Sequence, residues 1–127
     1  MREPTDSFVE VTSDGGVVTA RIVASSVEEN AAHAMLMRTQ EAMDQVGGGL
    51  TDVVLDFGGV EFINSSGLGV CFELHNDVAS RGARVILYQP TAAVMQLFMM
   101  VKVESLFTIV HTNEELRSLV ASRDTEA

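Results

Sequence analysis

Short β-branched runs alternate with longer segments of helical periodicity along this chain, and that alternation restricts its possible folds more than any single motif does. Residues 8–12 and 17–23 are rich in Val and Thr and partly alternate. Between them, Ser13-Asp14-Gly15-Gly16 offers a glycine pair able to supply the positive φ of a tight turn, so the two runs read as a hairpin. Over residues 27–46 the spacing changes. Ala32, Met35, Leu36, Met43 and Val46 recur at three and four with one wider step, which predicts an amphipathic helix, acidic at its start and stopped by Gly47-Gly48-Gly49. Residues 53–57 are nearly continuously apolar, as a strand covered on both faces must be.

Residues 68–79 carry two neighbouring stripes, Leu68-Phe72-His75-Ala79 and Gly67-Cys71-Leu74-Val78, and read as a second helix ending near Gly82. A buried strand over 85–88, closed by Pro90, leads to a helix over 91–100 with Thr91 as its N-cap. A strand over 107–110 and a helix capped by Thr112 or Asn113 and running to about residue 120 complete the series, and residues 122–127 are expected to form a loose tail. The order is β-β-α-β-α-β-α-β-α. Crossover connections of this kind place strands side by side in parallel, so an α/β domain is expected, with a mixed, largely parallel sheet and helices packed on it. The 127 residues suit one domain spanning 1–127 and ordered over roughly 8–121.

Charge removes several functional classes. Eight basic residues against 18 acidic ones give a net charge of -10, a field that repels phosphate backbones and anionic lipid, and Arg81, Arg84 and Lys102 are scattered rather than clustered. No nucleic acid is expected as a partner. The longest apolar stretch, residues 92–101, contains Gln96 and is half of the roughly 20 residues a bilayer requires, so no membrane association is expected either. One cysteine and an opening without the apolar core of a signal peptide point to a reducing cytoplasm.

The segment FINSSGLG, residues 62–69, stands where the apolar strand hands over to the second helix. In open α/β sheets, ligands and partners meet such carboxyl ends, and a serine at or beside the N-cap can use the free amides of the first helical turn. The same amides and the positive end of the helix dipole would accept a phosphate. Gly67 and Gly69 cost a helix about 1 kcal/mol each relative to Ala, which suggests that something approaches the backbone closely. On local chemistry alone, however, the favoured reading of Asn64, Ser65 and Ser66 is the plain one, ordinary residues of a turn and a cap.

Together with the strand VVLDF before it and the pattern after it, this N-S-S-G-L-G loop resembles the STAS domains of bacterial anti-sigma factor antagonists, with the likeness extending over roughly residues 8–121. The resemblance implies a binding module that, unmodified, docks on an anti-sigma factor with GHKL-type serine kinase activity and frees a sigma factor. Phosphorylation by that kinase ends the docking, and a PP2C-like phosphatase reverses it. It implies Ser66, the serine immediately before the first glycine, as the phosphoacceptor, and Asn64, Ser65, Gly67, Leu68 and Gly69 as partner-binding residues. Asn64 stands where many members carry Asp. The G-E-L-D-like stretch many members carry after the second strand is here Val23-Ala24-Ser25-Ser26-Val27-Glu28, with Glu28 in the acidic role. No cofactor is implied, and a monomer or weak dimer is expected. An unmodified scaffold in a signalling assembly, or a module sensing a nucleotide or other small ligand, is the alternative.

Catalysis is not expected. A nucleophile elbow needs G-x-S-x-G, but Asn64 holds the first glycine position, and although Asp77 and His111 follow the serines in triad order, order alone is weak support. Phe72 replaces the third glycine of a dinucleotide fingerprint. His33, His75, His111 and Cys71 lack metal-site spacing; His75 is expected to be a satisfied, partly buried histidine and Cys71 a small buried apolar residue. Met95, Met99 and Met100 suggest either adaptable core filling, the favoured reading, or a malleable partner surface, and since Met99 and Met100 are adjacent and cannot both face one way, one of them is free to face solvent.

Overall fold

A computed structural model describes residues 8–125. Strands β1 (Val9–Asp14), β2 (Val17–Ile22), β4 (Asp52–Asp56), β6 (Arg84–Tyr88) and β7 (Thr108–Val110) form one sheet in the order β1-β2-β4-β6-β7. The β1/β2 hairpin is antiparallel and turns at Gly15 and Gly16, whose φ values of 56° and 92° suit glycine and bring Asp14 opposite Val17. Every later pairing in the sheet is parallel, as crossover helices require.

Helices α1 (Glu29–Val46) and α2 (Ser65–Ser80) cover one face. Alternate strand residues, Val18 and Ala20, Val53 and Leu55, Val85 and Leu87, point into that core beside Met35, Met43, Cys71, Leu74 and Val78. Val54, Ile86 and Val110 point the other way, against Leu116 and Leu119 of α4 (Asn113–Thr125). Burial on both faces is why β4 and β6 lack a polar alternation. Arg84 straddles the α4 side: its Nε donates to the fully buried Asp52 carboxylate, and Nη2 donates to the Leu119 carbonyl at 3.2 Å.

The expected series of elements is present, and four details differ. Helix α1 begins at Glu29, not residue 27, because Ser26–Val27 is a two-residue strand, β3. It pairs in parallel with a second short strand, β5 (Phe62–Ile63), a miniature sheet that the sequence reading lacks. Helix α2 starts three residues earlier than expected, at Ser65. Helix α4 continues to Thr125, so the tail expected to be loose from residue 122 is helical as far as the described residues go. Of the two caps considered for α4, Thr112 serves: its hydroxyl accepts from the Glu115 amide at 3.1 Å and donates to the Glu115 carboxylate, also at 3.1 Å. Helix α3 (Ala92–Met100) has Thr91 as its N-cap, as expected.

Candidate functional site: the amino terminus of α2

The loop between β4 and α2 is held by backbone bonds to the segment before α1. The Glu61 amide donates to the Ser25 carbonyl at 2.7 Å and the Asn64 amide to the Val27 carbonyl at 3.2 Å. These bonds form the β3/β5 pair and set the direction in which α2 departs. Asn64 is the N-cap: its side-chain oxygen accepts from the Gly67 amide at 3.1 Å. An amide oxygen does here what a carboxylate could do, so Asn at this position caps the helix as an acid would.

Ser65 and Ser66 therefore occupy the first two positions inside the helix, after the cap rather than at it. Their own amides have no partner among the described residues, and a helix start leaves such donors pointing outward. Ser65 is exposed and Ser66 half-buried. An oxyanion attached to either hydroxyl would lie near two free N–H groups and the positive end of a 16-residue helix.

The two glycines have different reasons. A Cβ on Gly67 would lie 2.6 Å from Ile63 Cγ1, 2.8 Å from the Val27 carbonyl oxygen and 2.9 Å from Val27 Cγ1. The space beside Gly67 is filled by the chain itself, which corrects the expectation that an outside group approaches there. Gly69 meets nothing within 4 Å, is exposed, and lies one helical turn beyond Ser65 and Ser66. It leaves that face of the helix bare. Leu68 is half-buried against the core.

Glu28 comes to the same place. It precedes α1 as its N-cap residue and accepts a hydrogen bond from Ser26 Oγ at 3.0 Å. Glu28, Glu29 and Asn64 line an open cleft of about 400 Å³ between the starts of the two helices. All the residues expected to meet a partner thus lie around one end of the sheet. Sequence reasoning missed Phe62, which is 52% exposed beside the serines. Its neighbour Ile63 points inward, and the period of two turns Phe62 outward.

Other candidates are accounted for. Asp77 lies about 16 Å along α2 from Ser66 by helix rise, bonded to Arg81 at 3.0 Å and to Gln40 at 3.1 Å. It is not a triad partner. Cys71 is buried, and desolvation pushes its thiol up to about 12. His75 is half-buried with its ring 5.4 Å from that of Phe107. Among the described residues no cluster of His, Cys, Asp and Glu could hold a metal ion, and no helix is long and apolar enough to cross a membrane.

The family model for the STAS domain matches residues 9–116. The chain belongs to the STAS domain family. Solved structures of similar fold include the anti-sigma factor antagonist SpoIIAA in its unphosphorylated form, 20% identical with a TM-score of 0.75, the match covering 90% of this chain and 96% of that one. The Bacillus cell fate determinant SpoIIAA in the phosphorylated form is 19% identical with a TM-score of 0.69 over 88% of this chain and 98% of that one. A similar fold also occurs within the murine Solute Carrier 26 family member A9 anion transporter, where the match, at 13% identity and a TM-score of 0.73, covers 87% of this chain but only 18% of that one. Among curated proteins the comparison finds no match. The mixed sheet and four helices of this chain are the STAS arrangement, and its structural neighbours include anti-sigma factor antagonists of the SpoIIAA type.

Proposed function

We propose that this STAS domain is an anti-sigma factor antagonist whose binding is switched by phosphorylation of the serine pair that opens α2. The unmodified form docks on an anti-sigma factor that is also a GHKL-type serine kinase, releasing a sigma factor, and a PP2C-like phosphatase restores it after modification. The reading rests on one observation: two serines, one of them exposed, open a helix at two amides that have no partner among the described residues. In the transfer step, a serine oxygen bonds to the γ-phosphorus of ATP, the bond to the ADP oxygen breaks, and the serine proton leaves to a base on the kinase.

Phosphorylation adds about -1.5 to -2 charge and three strong acceptors. The free amides of Ser65 and Ser66 would receive that charge on the protein's own side, so the fold need not move. A docked partner has no such compensation. A hydrated dianion trapped in the interface, with Glu28 and Glu29 close by, would weaken binding by a few kcal/mol, a factor of hundreds in Kd.

The motif resemblance singles out Ser66, whereas exposure favours Ser65, which is the exposed residue of the pair while Ser66 is half-buried. The experiment is incubation with the cognate kinase and ATP, followed by peptide mapping of the wild type and of Ser65→Ala and Ser66→Ala. Label confined to one of the two serines supports the switch and names its acceptor. Label found only outside this pair removes it.

A further inference from the structure

Of the four α-helices among the described residues, α3 alone has no charged residue: AAVMQLFMM in a chain of which 20% is charged. Its core contribution comes from Val94 and Phe98, both fully buried. The helical period then turns Ala92, Ala93, Gln96, Met99 and Met100 outward, and all five are exposed. Core filling is the favoured reading of these methionines from sequence, with one of the adjacent pair free to face solvent; both are exposed, Met99 58% and Met100 74%. An aromatic residue joins them. Phe62 and Met100 line the same shallow groove of about 220 Å³, with Ile63 and Leu97 at its floor and Glu61 at its rim. The groove is held in place: Thr91, the α3 cap, donates to the Val60 carbonyl at 2.7 Å, tying the helix to the loop that runs into Phe62.

We infer that Phe62 and the outer face of α3 form the apolar half of the docking face, and that they receive an apolar segment flanked by Lys or Arg from the same partner that meets the serine pair. The inference rests on the proposed switch, because the two halves are continuous. Phe62 and Ile63 line the groove, Asn64 lines the acidic cleft on the other side, and Ser65 and Ser66 follow directly. Charge selects the occupant. Among the described residues, the charged ones lining the groove and the cleft are Glu28, Glu29 and Glu61, and neither is lined by a Lys or Arg. A second copy would bring these carboxylates against their equivalents and an anionic membrane would be repelled, whereas a basic-flanked apolar ridge matches both features. Exposed Met and Phe side chains suit such a contact, since thioethers adapt to an irregular surface and aromatic anchors supply much of interface energy.

Because no phosphate touches the apolar half, binding should divide into a component that responds to phosphorylation and one that does not. The probe is the purified cognate serine kinase with ADP bound, titrated against the full chain. Phe62→Gln and Met100→Gln alter exposed side chains; unchanged circular dichroism and melting temperature establish that each variant folds. The expected result is a 10- to 100-fold rise in Kd for each, with no change for Met37→Gln, an exposed methionine on α1 that lies outside the groove. If both variants bind within twofold of wild type while Ser65→Asp or Ser66→Asp binds weakly, the apolar half is wrong and the switch stands. If the glutamine variants weaken binding and the aspartates do not, the apolar half stands and the switch falls. Should sedimentation show that wild type dimerises and that these variants make it monomeric, the occupant is a second copy and the inference is overturned.

Discussion

Replacing Gly67 by Ala tests whether the α2 start is positioned by its own chain. The new Cβ would sit 2.6 to 2.9 Å from three atoms, one of them the Val27 carbonyl oxygen and two on the β-branched side chains of Val27 and Ile63. Ordinary contact needs about 3.5 to 4.0 Å, so α2 must retreat from the β3/β5 pair by most of an ångström. Overpacking of this kind costs about 1–3 kcal/mol, and a backbone atom among the contacts argues for the upper part of that range. Alanine in a helix returns up to about 1 kcal/mol relative to glycine. The net expectation is a loss of about 1–2 kcal/mol, or several degrees in Tm for a domain of this size. Gly69→Ala is the matched control: the same propensity gain with open space around it predicts a small stabilisation, about 0.5–1 kcal/mol. Urea denaturation followed by circular dichroism measures both. A Gly67→Ala protein as stable as Gly69→Ala would refute the close-packing account.

Two further predictions concern the body of the fold. Arg84→Met removes the partner of the fully buried Asp52 carboxylate and the tie to Leu119 of α4. Breaking a buried pair costs about 3–5 kcal/mol, and since the Arg84 side chain is partly exposed a loss of about 2–3 kcal/mol is expected; Arg84→Met/Asp52→Leu should recover much of it in the same denaturation assay. The Cys71 thiol, near 9.0 when solvated, is held at about 12 by burial. The unfolded chain therefore loses its proton first as pH rises, and the contribution of Cys71 is full below pH 9 and declines by up to about 1.4 kcal/mol per unit toward pH 12. Cys71→Ala should show a shallower alkaline decline. Equal slopes for the two proteins from pH 9 to 11 would contradict the burial argument.

Much of the sheet could be read from the sequence because two-sided burial leaves a plain mark: residues 53–57 and 85–88 lack polar alternation for the reason that β4 and β6 have helices on both faces. The β3/β5 pair left no such mark. Two residues cannot show a period, and the pair is fixed by backbone bonds such as Glu61 to Ser25, which are blind to side-chain identity. The missing first turn of α2 has a related cause, since Asn-Ser-Ser-Gly is as good a turn as it is a helix start. The position of the serine pair was legible, but its order of exposure was not, and neither was the use of Gly67, whose neighbour Val27 is distant in sequence. For the α3 methionines the sequence favours core over surface, and both of the adjacent pair face outward, because apolar residue type predicts burial only on average. The period of Val94 and Phe98 carried the signal that Met99 and Met100 lie on the opposite face.

The switch itself is tested most directly by comparing the affinity of the unmodified protein and of the stoichiometrically phosphorylated protein for the cognate kinase with ADP bound, by titration calorimetry at one salt concentration. A rise in Kd of about a hundredfold or more, with circular dichroism and Tm unaltered, is the predicted result. Equal affinity of the two forms, or a loss of affinity that tracks a loss of folded structure, would contradict it.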